Sequence, residues 1–153
     1  MLPIGELMRH EFGVVPPDAP VRQVIEVMVN ADVESVLVVD GRGRVVGSVG
    51  DEQLVAGLHA SRNRPWWRPL VADGVVSWTD ERLFTLAAAK VMLTRVISVH
   101  PTISATSAIR LFDEHAVNVI PVVDRGLLVG AVFRNDLIKR LLLPYPFGRS
   151  AEQ

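Results

Sequence analysis

Apolar residues recur along this chain with two spacings, and the spacings alternate. Val14-Val15 is a short β-type pair stopped by Pro16-Pro17. Val21, Val24, Ile25 and Met28 then follow the i, i+3, i+4, i+7 pattern of a helix with one buried stripe. Val36-Leu37-Val38-Val39 and Val45-Val46-Gly47-Ser48-Val49 read as strands, joined by Asp40-Gly41-Arg42-Gly43. Glycine in that link supplies the positive φ that hairpin turns need. A closing helix is predicted from about Asp51. The same order then returns. Ala105, Ala108, Ile109 and Phe112 form a helical stripe with Ser104 as its N-cap. Ile120-Pro121-Val122-Val123 and Leu128-Val129-Gly130-Ala131-Val132 are strands around the shorter turn Asp124-Arg125-Gly126. A last helix begins near Asn135, and Pro144 and Pro146 end it.

The two halves are copies. Met8 to Pro17 aligns with Met92 to Pro101 at an offset of 84 positions, and Ile25 with Ile109, Val33 with Val117, and Val38-Val39-Asp40 with Val122-Val123-Asp124 keep that offset. One deletion in the turn then aligns Gly47 with Gly130 and Leu54 with Leu137. A repeat of this kind predicts an architecture of two equivalent units with pseudo-twofold symmetry and clefts where the copies meet.

Three motifs carry a resemblance. They are Met-x-x-x-x-x-x-Val-x-Pro at Met8–Pro17 and Met92–Pro101, apolar-Pro-Val-Val-Asp at Ile120–Asp124, and Gly-x-Val-x-x-x-Asp-Leu at Gly130–Leu137. In combination they resemble a tandem pair of CBS domains, also called a Bateman module. The resemblance implies an α/β fold of two βαββα repeats, sheets flanked by helices. It places repeat 1 at 3–58, an Arg/Trp-rich linker with a helix start at 59–86, repeat 2 at 87–143 and a flexible tail at 144–153. It further implies a homodimer of pairs and one ligand cleft per repeat. The family's ligands are adenosine nucleotides (AMP, ADP, ATP) or S-adenosylmethionine, bound to regulate an attached or partner protein.

The family's exit motif is Gly-apolar-x-Thr/Ser-x-x-Asp, whose aspartate accepts hydrogen bonds from two ribose hydroxyls. In repeat 2 that aspartate is Asp136. Phe133 stands in the Thr/Ser position, where it either stacks on a base or fills the pocket. Arg134 opens the helix, where phosphate would be held. Ile97, Ser98, Val119, Ile120 and Pro121 match positions that line the purine pocket. The competing reading is that Asp136 is an acid favoured by the helix dipole. Repeat 1 departs further: Gly50 replaces the Thr/Ser, Gln53 replaces the aspartate, and Asp51 and Glu52 would repel a phosphate. That cleft reads as structural, empty or adapted to another ligand.

The linker contains Arg62-Asn63-Arg64-Pro65-Trp66-Trp67-Arg68-Pro69, followed by a predicted helix from Glu81 to Met92 capped by Thr79 or Asp80. It admits three readings: a segment folded back so that its tryptophans are buried, a protein interface, or a single-stranded nucleic-acid contact. A net charge of −1 argues against the last. The four histidines lack ligand spacing, and with no cysteine, disulfides and thiolate sites are excluded. No nucleophile–base pair or metal cluster is visible, so an enzyme has little support. The apolar runs are too short to span a membrane, and the N-terminus lacks the pattern of a signal peptide, so the expected location is cytoplasmic. The expectation is a regulatory module without an obligatory cofactor, taking an adenosine nucleotide in repeat 2. The alternative is a dimerisation or scaffold module whose clefts have lost their ligand, as Gly50, Gln53 and Phe133 suggest.

Overall fold

The computed structural model describes residues 2–54, 71–72, 75–76 and 85–142. The Trp66-Trp67 stretch, the caps Thr79 and Asp80, and the tail lie outside them. The chain divides into two units, one of Glu11–Val96 and the other of Met1–His10 with the chain from Ile97 onward.

In the Glu11–Val96 unit, β1 (Val14–Val15) lies parallel to β2 (Ser35–Val39), and β2 pairs antiparallel with β3 (Val45–Gly50). The crossover from β1 to β2 is α1 (Val21–Ala31), which buries Val21 and Val24 of the predicted stripe and leaves its Ile25 and Met28 half-buried. β2 is buried along nearly its whole length, which is why it reads as a continuous apolar run rather than an alternation. Residues 51–54 are helical. A small ribbon follows, β4 (Val71–Ala72) against β5 (Val75–Val76), then α2 (Ala88–Val91).

The second unit repeats the design. α3 (Ala105–His115) precedes the hairpin of β6 (Val119–Asp124) and β7 (Leu127–Phe133), and α4 (Arg134–Leu142) closes it. The strand before α3 is reduced to a parallel bridge between Val99 and Val122. Equivalence between the units extends to irregularities. The ladders slip between Val38 and Val39 in one and between Val122 and Val123 in the other. Both helices stop at a left-handed residue, Asp32 (φ 52°) and Ala116 (φ 49°). The hairpin turns differ as the deletion requires. Arg125 and Gly126 both take positive φ (52° and 77°), the two-residue type that matches strand twist. In the longer turn, Asp40 accepts from the N–H groups of Arg42 (2.9 Å) and Arg44 (3.0 Å). The Arg44 amide in particular holds the Asp40 carboxyl below the usual aspartate value.

Each unit is completed by a segment distant in sequence. Residues 2–10 pack with the second repeat: the Ile4 N–H donates to the Ile103 carbonyl (2.8 Å), the Ala105 N–H to the Leu2 carbonyl (2.9 Å), and Arg9 and Ala131 exchange two bonds (2.8 and 3.0 Å). Residues 85–93 pack with the first: the Val21 N–H donates to the Leu86 carbonyl (2.8 Å), and Ser48 and Leu93 exchange two bonds (3.0 and 2.8 Å).

Two expectations are corrected here. The helix predicted from Glu81 to Met92 is, among described residues, the four-residue α2. Leu86 and Ala87 are drawn into extended pairing at the start of α1, with Ala87 bridged to Pro20. Ile109, expected on the buried stripe of α3, is 36% exposed. Ala105, Ala108 and Phe112 take the core side, and Ile109 is left at the margin of a cleft beside α4. The Ser104 cap is as read, its side chain accepting from the Ser107 N–H at 3.1 Å. Ser104→Ala is therefore expected to lower stability by about 1 kcal/mol in urea denaturation, whereas a change under about 0.3 kcal/mol would show that water replaces the cap.

Candidate functional site

The end of β7 delivers Phe133 and the first turn of α4 delivers Asp136. The backbone N–H of Arg134 donates to the Asn118 carbonyl at 3.0 Å, which joins the start of α4 to the entry of β6. Phe133 is buried and pairs with Val119 across the ladder. The Asp136 carboxylate is occupied by a residue that sequence reasoning missed. Arg9 Nε donates to Asp136 Oδ2 at 2.6 Å, and Arg9 Nη2 donates to Oδ1 at 2.9 Å. The guanidinium also lies 5.1 Å from the centroid of the Phe133 ring, within cation–π reach. Arg9 and Asp136 side chains are 38% and 25% exposed. The bridge between Arg9 and Ala131 holds the arginine's backbone in place beneath this contact.

The other sequence-predicted residues divide. Val119 and Pro121 are buried on β6, and Ile120, beside them, is fully buried and pairs with Val132. Ile97 is half-buried and Ser98 exposed, next to the Val99 bridge. Arg134 goes elsewhere. Two positions from Asp136 on α4, it points to a different side of the helix. It lines a cleft of about 420 Å³ between α3 and α4, with Ile109, Arg110, Asp113 and Ile138. The structure thus brings Arg9, Phe133 and Asp136 together and leaves Arg134 on another face.

The equivalent place in the first unit is built differently. Gln53 Oε1 accepts from the Gly50 N–H at 2.9 Å, a side chain in the first helical turn reaching back to the residue that caps it. A Cβ on Gly50 would lie 2.6 Å from the hydroxyl of Ser35, a buried polar residue. Leu93 occupies the position of Arg9, since it bridges Ser48 as Arg9 bridges Ala131. Arg9, Phe133 and Asp136 of one unit therefore correspond to Leu93, Gly50 and Gln53 of the other. All three change together. The signal that could have found Arg9 was in that internal comparison: an arginine replaces leucine only in the repeat where aspartate replaces glutamine.

Chemically, the second-unit site offers a two-oxygen acceptor, a guanidinium donor and an aromatic face. Among the described residues, no group of three or more His, Asp or Glu is placed to hold a metal ion, and no helix is long and apolar enough to cross a membrane.

Comparison with known proteins gives the family. The CBS-domain model matches residues 4–60 and again 88–143. The chain belongs to the CBS-domain family. It is a tandem CBS pair, and solved structures repeat its fold. A CBS-domain region of a membrane protein from Sphaerobacter thermophilus is 28% identical, with a TM-score of 0.68 over 94% of this chain and 90% of that one. CBSX2, solved in complex with AMP, is 23% identical, with a TM-score of 0.67 over 94% and 98%. A CBS-domain-containing protein from Agrobacterium tumefaciens is 16% identical, with a TM-score of 0.66 over 85% and 84%. No curated protein matches the chain in sequence.

Proposed function

We propose that this CBS pair is a regulatory module that binds an adenosine nucleotide (AMP, ADP or ATP) or S-adenosylmethionine at the second repeat and passes the bound state to a partner protein as a homodimer. The observation that carries the reading is the Asp136 carboxylate in the first turn of α4, beside the Phe133 ring and a guanidinium. A carboxylate can accept from both ribose hydroxyls at once. The base is assigned to the side of Ile97, Ser98, Val119 and Pro121, with the ribose on Asp136 and the phosphate at the N-terminal end of α4, without Arg134, which lines the other cleft. The AMP seen in CBSX2 supports the ligand class. Proteins built of CBS domains are typically regulatory rather than catalytic, and this one is read in the same way. A ligand alters a partner only to the extent that it prefers one arrangement of the protein over another.

Titration calorimetry with the four ligands, on the wild type and on Asp136→Ala, tests this. Losing an acceptor for charge-assisted or paired hydrogen bonds is expected to weaken binding about 10- to 100-fold. Equal affinity in both proteins would move the site away from Asp136. A second reading has its own observation: Asp136 is already held by Arg9, and Gln53 already caps Gly50. A dimerisation or scaffold module without ligand fits that arrangement, and absence of binding to all four compounds would select it.

A further inference from the structure

We propose that the α3–α4 face of the second repeat docks against the α1 face of the first repeat of a second copy, so that two copies pair head to tail. The proposal rests on the homodimer reading above and adds which face meets which. Comparison of the two repeats at equivalent positions carries it.

In the second repeat, Thr106, Ile109, Arg110 and Asp113 follow the i, i+3, i+4, i+7 spacing and so share one face of α3. With Arg134 and Ile138 of α4 they line the cleft of about 420 Å³. Ile109 and Ile138 are exposed there, and so are Arg110, Asp113 and Arg134. Apolar side chains rimmed by charged ones, with arginine among them, suit an interface. In the first repeat, Arg22, Ile25, Glu26 and Val29 take the same positions on α1. Asp51 opens the helical segment there, as Arg134 opens α4.

The charges at these positions are reversed. Glu26 stands where the second repeat has Arg110, and Asp51 where it has Arg134. At the compared positions the second-repeat face carries two arginines and one aspartate, an excess of positive charge. The first-repeat face carries two acids and one arginine, an excess of negative charge. Solubility asks for charge, but not for opposite signs at equivalent positions. Pairing like faces sets excess charge of one sign together, whereas unlike faces attract. The apolar parts favour the same choice. Val29 is 72% exposed and stands where the second repeat has Asp113. The first-repeat face thus offers an apolar side chain, and the second-repeat face an open cleft to receive it. A twofold axis between the copies makes this contact twice, once from each chain.

Sedimentation equilibrium of the full chain tests the pairing, with thermal melts to confirm that each variant folds. Arg110→Glu with Arg134→Glu makes both faces acidic, and Glu26→Lys with Asp51→Lys makes both basic. Each double variant is expected to dimerise at least about tenfold more weakly than the wild type. All four substitutions in one chain restore opposite signs, exchanged between the faces, and should return the dimer to within about threefold of the wild type. In about 1 M salt, where screening acts within about 3 Å, the differences should shrink. Val29→Ala should weaken the dimer, and Leu127→Ala, at a residue 69% exposed but outside both faces, should leave it unchanged. If the fourfold variant dimerises more weakly than either double variant, like faces pair and the proposal is overturned while the homodimer stands. Dimerisation indifferent to every charge substitution overturns it as well, by moving the interface elsewhere. A wild type that stays monomeric at every concentration removes the homodimer reading and this pairing together, and leaves the nucleotide site to its own test at Asp136.

Discussion

Ile4→Ala is expected to destabilise the second repeat by about 2–5 kcal/mol, the usual range for truncating a fully buried isoleucine, although Ile4 stands in sequence just ahead of the first. Ile4 is 0% exposed. It opens the short 3₁₀ turn Ile4–Glu6, and its carbonyl accepts from the N–H groups of Leu7 and Met8, both at 2.9 Å. Its own N–H and that of Gly5 donate to the carbonyls of Ile103 and Pro101, each at 2.8 Å. The truncation therefore leaves a cavity under a segment that has little freedom to collapse into it. For a chain of this size, about 2–4 °C of melting temperature is lost per kcal/mol. Hydrogen exchange locates the effect: amides of β6, β7 and α3 should lose protection before those of β2 and β3. Val14→Ala, at a residue 43% exposed, is the control and should change stability by less than about 0.5 kcal/mol. A uniform loss of protection across both units, or a shift in melting temperature below about 2 °C, would contradict the assignment of this segment to the second unit.

Gly47→Ala is the second large effect, and its size relative to Gly130→Ala is the informative quantity. The two glycines are equivalent, and each lies under a methionine from the segment that completes its unit. A Cβ at Gly47 would lie 2.6 Å from the Met92 sulfur and 2.8 Å from the Leu93 carbonyl oxygen. That oxygen accepts from the Ser48 N–H at 3.0 Å, so relieving the clash means disturbing the bridge. A Cβ at Gly130 would lie 2.5 Å from the Met8 sulfur and 3.1 Å from the Arg9 carbonyl oxygen. There the severe contact is with a flexible side chain, which can move. Overpacking typically costs about 1–3 kcal/mol; Gly47→Ala is expected at or above the top of that range and Gly130→Ala near its lower end. Denaturant midpoints measure both. Adding Met8→Ala to Gly130→Ala should recover most of the clash energy, whereas Met92→Ala should rescue Gly47→Ala less, because the carbonyl remains. Equal costs and equal rescue would show that the backbone contact is without consequence.

Local features of the chain proved readable where their cause is local. The stripe of α1 was visible because helix periodicity places Val21 and Val24 on one face. The shorter second turn was visible because a deletion beside Gly126 leaves room for two residues with positive φ. The Ser104 cap depends on atoms three residues apart. Asp136 was marked for the proposed site by its motif, and the departure of the first repeat was marked by Gln53. What escaped was set at long range. The Glu81–Met92 helix had acceptable helical residues, but pairing of Leu86 and Ala87 with the start of α1 overrode the propensity. Ile109 fits the stripe on a wheel, yet its exposure depends on how α4 lies beside α3.

The duplicated pattern of strands and helices, the degeneracy of the first repeat's exit motif and the membership of one family were all written in residue types and their spacing, because periodic burial and turn chemistry act over a few residues. The docking of residues 2–10 and the grip of Arg9 on Asp136, 127 positions away, were decided by tertiary structure. Backbone hydrogen bonds hold that segment, and every residue except proline offers the same donor and acceptor. The bonds that bring Arg9 to the site therefore leave little trace in the sequence, and the ion pair exists because the chain has folded.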